Sequence, residues 1–551
     1  MTIYQVLPRL FGNRNRTRKP HGSLLENGCG KLNDFNLKIL REIKKLGATH
    51  IWYTGVIEHA TQTGYPEHNI APDHAGVVKG IAGSPYAIKD YYDIAPDLAT
   101  HVPKRMQEFE ALVERTHKAG LGAIVDFVPN HVARQYGSDS KLFGVEDLGA
   151  ADRTDWAFSQ QNNFYYMPNQ PFTPQFDAQG YTECPARATG NDLFSPSPTR
   201  NDWYETVKLN YGVDYLGGRA KYFDPTPDTW LKMRNILLFW AAKGVDGFRC
   251  DMAEMVPVEF WSWAIEQVKR QFPHIIFIAE VYNPAEYRNY IFNGKFDYLY
   301  DKVGLYDSLR AIVRNEASAA CITQCWQAVS DIQPRMLNFL ENHDEQRIAS
   351  DFFAGNAERG KPALLVSALM TASPFMLYFG QETGEHGMDS EGFSGRDGRT
   401  TIFDYWTVES VYKQYFSGEE KKPETQHLYD FYQRVLSLKE KEKALAEGIF
   451  YDLMWVNYQN PQFNPDRQFA FFRQYENDTI LIIANFADQA ADIAVNIPAH
   501  ALEFLNLPLQ QSATYSDLLS GATFRQELSA EKPFEATIPA LGGVIFKFKN
   551  P

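Results

Sequence analysis

Four short stretches of this chain concentrate side chains capable of acid–base, ionic and hydrogen-bonding chemistry: Asp126-Phe-Val-Pro-Asn-His131, Phe248-Arg249-Cys250-Asp251, Ala279-Glu280 and Glu341-Asn342-His343-Asp344. Carboxylates grouped with Arg and His, and with no thiolate, suit two chemistries. One is a divalent-metal site, for which His131, Asp251, Glu280 and His343 are ligands of suitable type for zinc or manganese. The other is glycosyl transfer through an oxocarbenium-like transition state, with one carboxylate as nucleophile and another as acid and base. Arg249 stands two residues before Asp251 in a strand-like run, so both side chains face the same way. A guanidinium there opposes a bound cation and holds Asp251 ionised, as a nucleophile requires. That favours glycosyl transfer.

Each stretch closes an apolar run of strand type, and the runs alternate with amphipathic helices. Leu37, Leu40 and Ile43 recur at helical spacing before Gly47 and the strand Thr49-His-Ile-Trp-Tyr. Met106, Phe109, Leu112 and Val113 do the same before Gly120 and Gly122-Ala-Ile-Val-Asp-Phe-Val. Continuing through Val245-Asp-Gly-Phe-Arg-Cys-Asp, Ile275-Ile-Phe-Ile-Ala-Glu, Phe296-Asp-Tyr-Leu-Tyr, Met336-Leu-Asn-Phe-Leu and Phe375-Met-Leu-Tyr-Phe, with Ile3-Tyr-Gln-Val first, the series has eight strands. The pattern predicts an α/β fold, a closed (β/α)8 TIM barrel over residues 1–131 and 216–448, whose active site lies at the C-terminal ends of its strands. Residues 132–215, rich in Gly, Asn, Pro, Phe and Tyr without helical period, are too long for a structureless loop and predict an inserted domain after strand three. From 449 to 551, short alternating runs predict a C-terminal antiparallel β-sandwich.

Composition narrows the partners. The chain has 551 residues and a net charge of −14, which argues against a nucleic-acid backbone as ligand. No run approaches the ~20 apolar residues that span a membrane. Aromatics make up 14% of the chain, which suits either a Phe-rich core or a site that stacks flat-faced ligands such as sugars. The five cysteines have no zinc-type spacing and read as unpaired structural thiols. The first residues, Met1 to Pro8, read as a strand with no apolar leader, implying a cytoplasmic chain unless a signal peptide has been removed.

In order and spacing, the four stretches resemble signature regions of the α-amylase superfamily, glycoside hydrolase family 13, and Ser84-Pro-Tyr86-Ala-Ile-Lys-Asp90-Tyr resembles the segment after its second strand. The resemblance spans the catalytic barrel, the insert and the C-terminal sandwich. It implies a retaining hydrolase of α-glucans such as starch, glycogen or maltooligosaccharides, acting mainly on α-1,4 links. A transglycosylase or isomerase on the same scaffold, and a non-catalytic carbohydrate-binding relative, are the alternatives. It further implies Asp251 as nucleophile, Glu280 as general acid and base, and Asp344 as the third acid. Tyr86, Asp90, His131, Arg249 and His343 are implied to contact substrate, and Glu254 to lie near the aglycone. Asp126 is either a partner of Arg249 or structural, and Phe164-Tyr165-Tyr166 is a candidate cleft wall.

The sequence also departs from that family. The Lys-His pair that follows the nucleophile in typical α-amylases is replaced by Glu254-Met255, and the segment contributing to their interdomain calcium reads Val207-Lys208-Leu209-Asn210. A hard cation wants oxygen ligands and is repelled by an ammonium. Asn130 alone does not make a site. In the first loop, from Asn13 to Lys31, the acidic positions of a second calcium site are replaced by Asn and Lys. No cofactor is therefore expected to be required, and calcium is disfavoured at both places.

Overall fold

The computed structural model describes residues 1–387 and 390–549. Eight parallel strands close into a barrel: Thr2–Val6, His50–Tyr53, Gly122–Phe127, Gly247–Cys250, Ile276–Ala279, Tyr298–Tyr300, Met336–Phe339 and Phe375–Tyr378. The last strand pairs with the first, Ile3 opposite Met376, so the sheet has no free edge. Alternation along the strands sorts the side chains. Ile3, Trp52, Ile124, Ile278, Leu337, Phe339 and Met376 fill the barrel interior, while Tyr4, Ile51, Val125, Phe248 and Phe277 pack outward under the helices.

The helices form where the sequence period demands. Helix Leu37–Lys45 is capped by the Asn36 side chain, which accepts from the Lys38 and Ile39 amides, and it buries Ile39, Leu40 and Ile43. Helix Arg105–Lys118 buries Phe109, Leu112 and Val113, and the chain turns back into strand three at Gly120, whose φ of +76° suits glycine.

The insert leaves the barrel after strand three. His131–Ala133 pairs antiparallel with Thr206–Lys208, so its two ends are laced together at the rim. Its last hairpin, Val213–Asp214 with Ala220–Lys221, straddles the position expected to end the insert, and the next barrel helix begins only at Asp228. Aromatics hold the insert: Tyr165 packs on Phe158, Phe194 and Tyr215. Phe164, Tyr165 and Tyr166 are all buried, so they build its core rather than wall the cleft.

The C-terminal region carries a six-stranded antiparallel sheet, in the order Ile449–Asp452, Gln468–Tyr475, Asp478–Asn485, Gly542–Lys549, Gln510–Asp517 and Thr523–Ser529. Ala491–Val495 and Phe534–Ile538 form a separate pair. The sequence pattern picks out the apolar central strands and misses polar ones such as Thr523–Ser529, whose first half is exposed.

Candidate active site

Arg249 is the centre of the strand-end cluster. It is buried, and its Nη1 lies 2.7 Å from Asp251 Oδ1 while its Nη2 lies 2.8 Å from Glu280 Oε2. Nε donates to the Tyr300 hydroxyl at 3.1 Å. The guanidinium also sits over the rings of Trp52, Tyr86 and Tyr300, with centroids 5.2–5.5 Å away. One fixed fork thus aligns the two carboxyls delivered by strands four and five. Glu280 Oε2 also accepts from the Met252 amide at 2.8 Å, and its Oε1 accepts from Tyr282 Oη. Asp126 stands behind this layer. It accepts from Trp52 Nε1 at 2.9 Å and from Tyr86 Oη at 3.4 Å, and lies 3.6 Å from Arg249. It therefore positions Arg249 and Tyr86.

Four carboxyls and one guanidinium share a desolvated site. Burial pushes the Asp251 carboxyl up, and Arg249 opposes it. Burial also raises Asp126 to about 6, again against Arg249. Asp344 is pushed up to about 7, first by its depth in the site and then by the charge of Glu280, although 45% of its side chain faces the cleft. The cluster therefore holds protons near neutrality, a property of the group more than of any one member.

Both histidines are neutral. Burial, then Arg249, lowers His343 well below its ordinary value; burial, then Lys208, takes His131 to about 3. Gln5 Nε2 lies 2.9 Å from His343 Nδ1, which assigns the ring proton to Nε2, 3.1 Å from Asp344 Oδ2. Tyr86 stacks on His343 with centroids 5.0 Å apart. Charged hydrogen bonding from the expected His, Arg and His set is thus supplied by Arg249 alone.

These groups open into a cleft of about 410 Å³ lined by Tyr86, His131, Asp251, Glu280, His343 and Asp344. A larger concavity of about 980 Å³ in the C-terminal region carries none of the strand-end residues. Two expected contacts fall elsewhere. Asp90 is fully buried, accepts from Ser138 and Ser140, and lies outside the cleft lining, because its strand pairs back on Glu58 and turns it away. Glu254 accepts from the Asn283 amide and is likewise outside the lining. Gln381 and Glu382 cap the barrel, Glu382 accepting from Tyr4 and Tyr415. The cleft also uses residues that sequence reading passed over: Trp203, packed on His131 at 5.3 Å, Tyr282, and a Lys79–Glu205 ion pair at 3.0 Å. Trp203 and Glu205 come from the insert, where no period or motif marks them. Tyr282 stands two residues beyond Glu280, a spacing that was available as a signal.

Lys208 occupies the junction of insert and barrel. Its buried Nζ lies 2.7 Å from Asp192 Oδ1 and donates to Met255 O at 3.2 Å and to Asn130 Oδ1. The oxygens that would face a cation there are taken by an ammonium, so these residues do not fit a metal ion. Lys208→Met, which keeps the stem and removes the charge, is expected to cost about 2–3 kcal/mol, because two oxygens lose their donor and Asp192 its counter-charge. Thermal unfolding would read this as a lower Tm, and an unchanged Tm would refute the assignment.

A closed eight-stranded barrel carrying paired carboxyls on one guanidinium, a third acid and stacked aromatics at its C-terminal rim defines a glycosidase-type site. A family model for the alpha-amylase catalytic domain matches residues 5–448, and the chain belongs to that family. Alpha-amylase 2 of Dictyoglomus thermophilum is 21% identical over 536 residues, covering 96% of this chain and 73% of its own. Neopullulanase 2 of Thermoactinomyces vulgaris is 21% identical over 517 residues, covering 90% and 71%. Among solved structures, the alpha-amylase of Geobacillus thermoleovorans complexed with acarbose superposes with a TM-score of 0.66 at 19% identity, covering 100% of this chain and 98% of its own. That likeness speaks for the fold.

Proposed function

We propose that this enzyme is a retaining hydrolase of α-glucans, cleaving α-1,4 links of starch-like oligosaccharides by double displacement. The observation that carries the reading is the single Arg249 fork that reaches both Asp251 and Glu280, at 2.7 and 2.8 Å. Two carboxyls so held suit the roughly 5–5.5 Å spacing of a retaining mechanism better than the wider gap that admits a water between them.

Asp251 Oδ1 is engaged by Arg249, which leaves Oδ2 as the nucleophile. It attacks the anomeric carbon as the bond to the glycosidic oxygen breaks. Glu280 gives that oxygen its proton, and a covalent ester to Asp251 forms. Glu280 Oε2 accepts from the Met252 amide and is ion-paired with Arg249, so the proton it gives is carried on Oε1, the oxygen beside the Tyr282 hydroxyl. After the aglycone departs, the Glu280 carboxylate takes a proton from water, the hydroxyl oxygen adds to the anomeric carbon, and Asp251 is released. Asp344 and the Nε2–H of His343 bind sugar hydroxyls, while Tyr86 supplies an aromatic face. No cofactor takes part in these steps.

Incubation with maltoheptaose tests the reading. Only shorter products are expected; longer ones would indicate transfer to sugar, and none would indicate binding without turnover. The proton balance adds a second expectation. With Asp344 at about 7, the acid cluster loses a proton around neutrality, so kcat/KM should decline as pH rises above about 7. A profile still rising at pH 8 would contradict this.

A further inference from the structure

Beside the first segment of the insert, four acids converge. Glu58 and Asp90 face each other across the short antiparallel pair Ile57–His59 and Ile88–Ile94, Asp93 follows on the second strand, and Asp139 arrives from the first segment of the insert. One oxygen from each lies within 4.8 Å of the others. Glu58, Asp90 and Asp93 are 2%, 0% and 2% exposed, whereas Asp139 reaches solvent.

Three of the acids have visible partners. Asp90 accepts from Ser138 Oγ, the Ser140 amide and the Tyr92 amide. Asp93 accepts from the Ile94 amide and pairs with Arg105, which also lies 3.9 Å from Asp139. Glu58 differs: its Oε2 is buried and has no hydrogen-bond partner, and its carboxylate contributes an oxygen to the cluster. A second cation, Lys89, is spent on Asp73 at 3.4 Å and on Ala71 O. Four carboxyls thus face a single guanidinium, an excess of three negative charges that a buried site does not sustain unaided.

We propose that Glu58, Asp90, Asp93 and Asp139 form a calcium site that clamps the start of the insert to the barrel. The all-oxygen donor set excludes soft metals. Calcium, with ligand distances of about 2.3–2.6 Å, spans up to roughly 5 Å between opposite oxygens, which accommodates four oxygens lying within 4.8 Å of one another. Arg105 remains outside, neutralising Asp93.

Calorimetric titration of the chelator-treated, desalted protein with calcium chloride tests this. About one equivalent should bind, and calcium at about 100 times Kd should raise Tm by on the order of 3 °C. Glu58→Gln, isosteric with a protonated Glu58, and Asp139→Asn, at an exposed position that tolerates change, should each weaken binding on the order of tenfold or more. Asp192→Asn, beside Lys208, should leave it intact. Absence of calcium uptake by the parent protein would overturn the proposal. So would equal affinity in Glu58→Gln and the parent, which would mean that a proton alone resolves the crowding. Loss of binding in Asp192→Asn with retention in Glu58→Gln would place the ion at the other junction and overturn it equally.

Discussion

Asp251→Asn is expected to lower kcat on maltooligosaccharides by on the order of 10⁴-fold or more, with KM little changed. The substitution keeps shape and burial but removes the carboxylate proposed to form a bond to the anomeric carbon. An Asn at this position still offers Oδ1 to Arg249, so the fork that aligns Glu280 persists and sugar binding survives. Calorimetry with maltoheptaose would separate the two effects: retained affinity with lost turnover identifies a nucleophile. A variant keeping near-parental kcat would move that role away from Asp251.

The second large effect belongs to Glu280. Glu280→Gln removes both the proton given to the leaving oxygen and the base that later activates water, each worth about 10²–10⁴-fold. The two losses are separable by substrate. An aryl glucoside whose phenolate leaves without protonation should react in the first step at close to the parental rate, then stall as the ester on Asp251. A small anionic nucleophile such as azide, needing no deprotonation, should release it. Natural glucans should show the full loss. If aryl and natural substrates lose rate equally and azide has no effect, Glu280 is not the acid and base.

Much of this site is legible in the sequence. The barrel was legible because its strands are buried on both faces and read as continuous apolar runs, each ending abruptly in a polar group, as in Phe248-Arg249-Cys250-Asp251. The Arg249–Asp251 contact follows from a period of two along a strand, and it is found at 2.7 Å. What stayed hidden depends on chain segments whose direction is set by tertiary contacts. Asp90 sits in a run resembling a substrate-contacting segment, yet its strand pairs antiparallel with Glu58 and carries the carboxyl away from the cleft. Trp203 and Glu205 reach the cleft only because the insert folds back over it, which no local pattern encodes. Phe164, Tyr165 and Tyr166 illustrate the converse: aromatics in a polar stretch look like ligand platforms until the small domain they hold together is seen. The neutral histidines were also out of reach, since burial, not sequence neighbourhood, removes their charge.

The tethered ammonium of Lys208 has a further consequence. An ion at the same junction would come and go with its concentration in the medium, whereas Nζ is delivered by the backbone and cannot dissociate without unfolding its strand. Asn130, one of the oxygens it holds, also contacts the ring of His131 in the cleft, so the wall of the sugar pocket is anchored at a fixed effective concentration. Chelators should therefore leave turnover at moderate temperature intact even where they lower Tm. One hinge of the insert is set by covalent structure and the other by its surroundings, which gives the cleft a wall whose position does not depend on mineral supply.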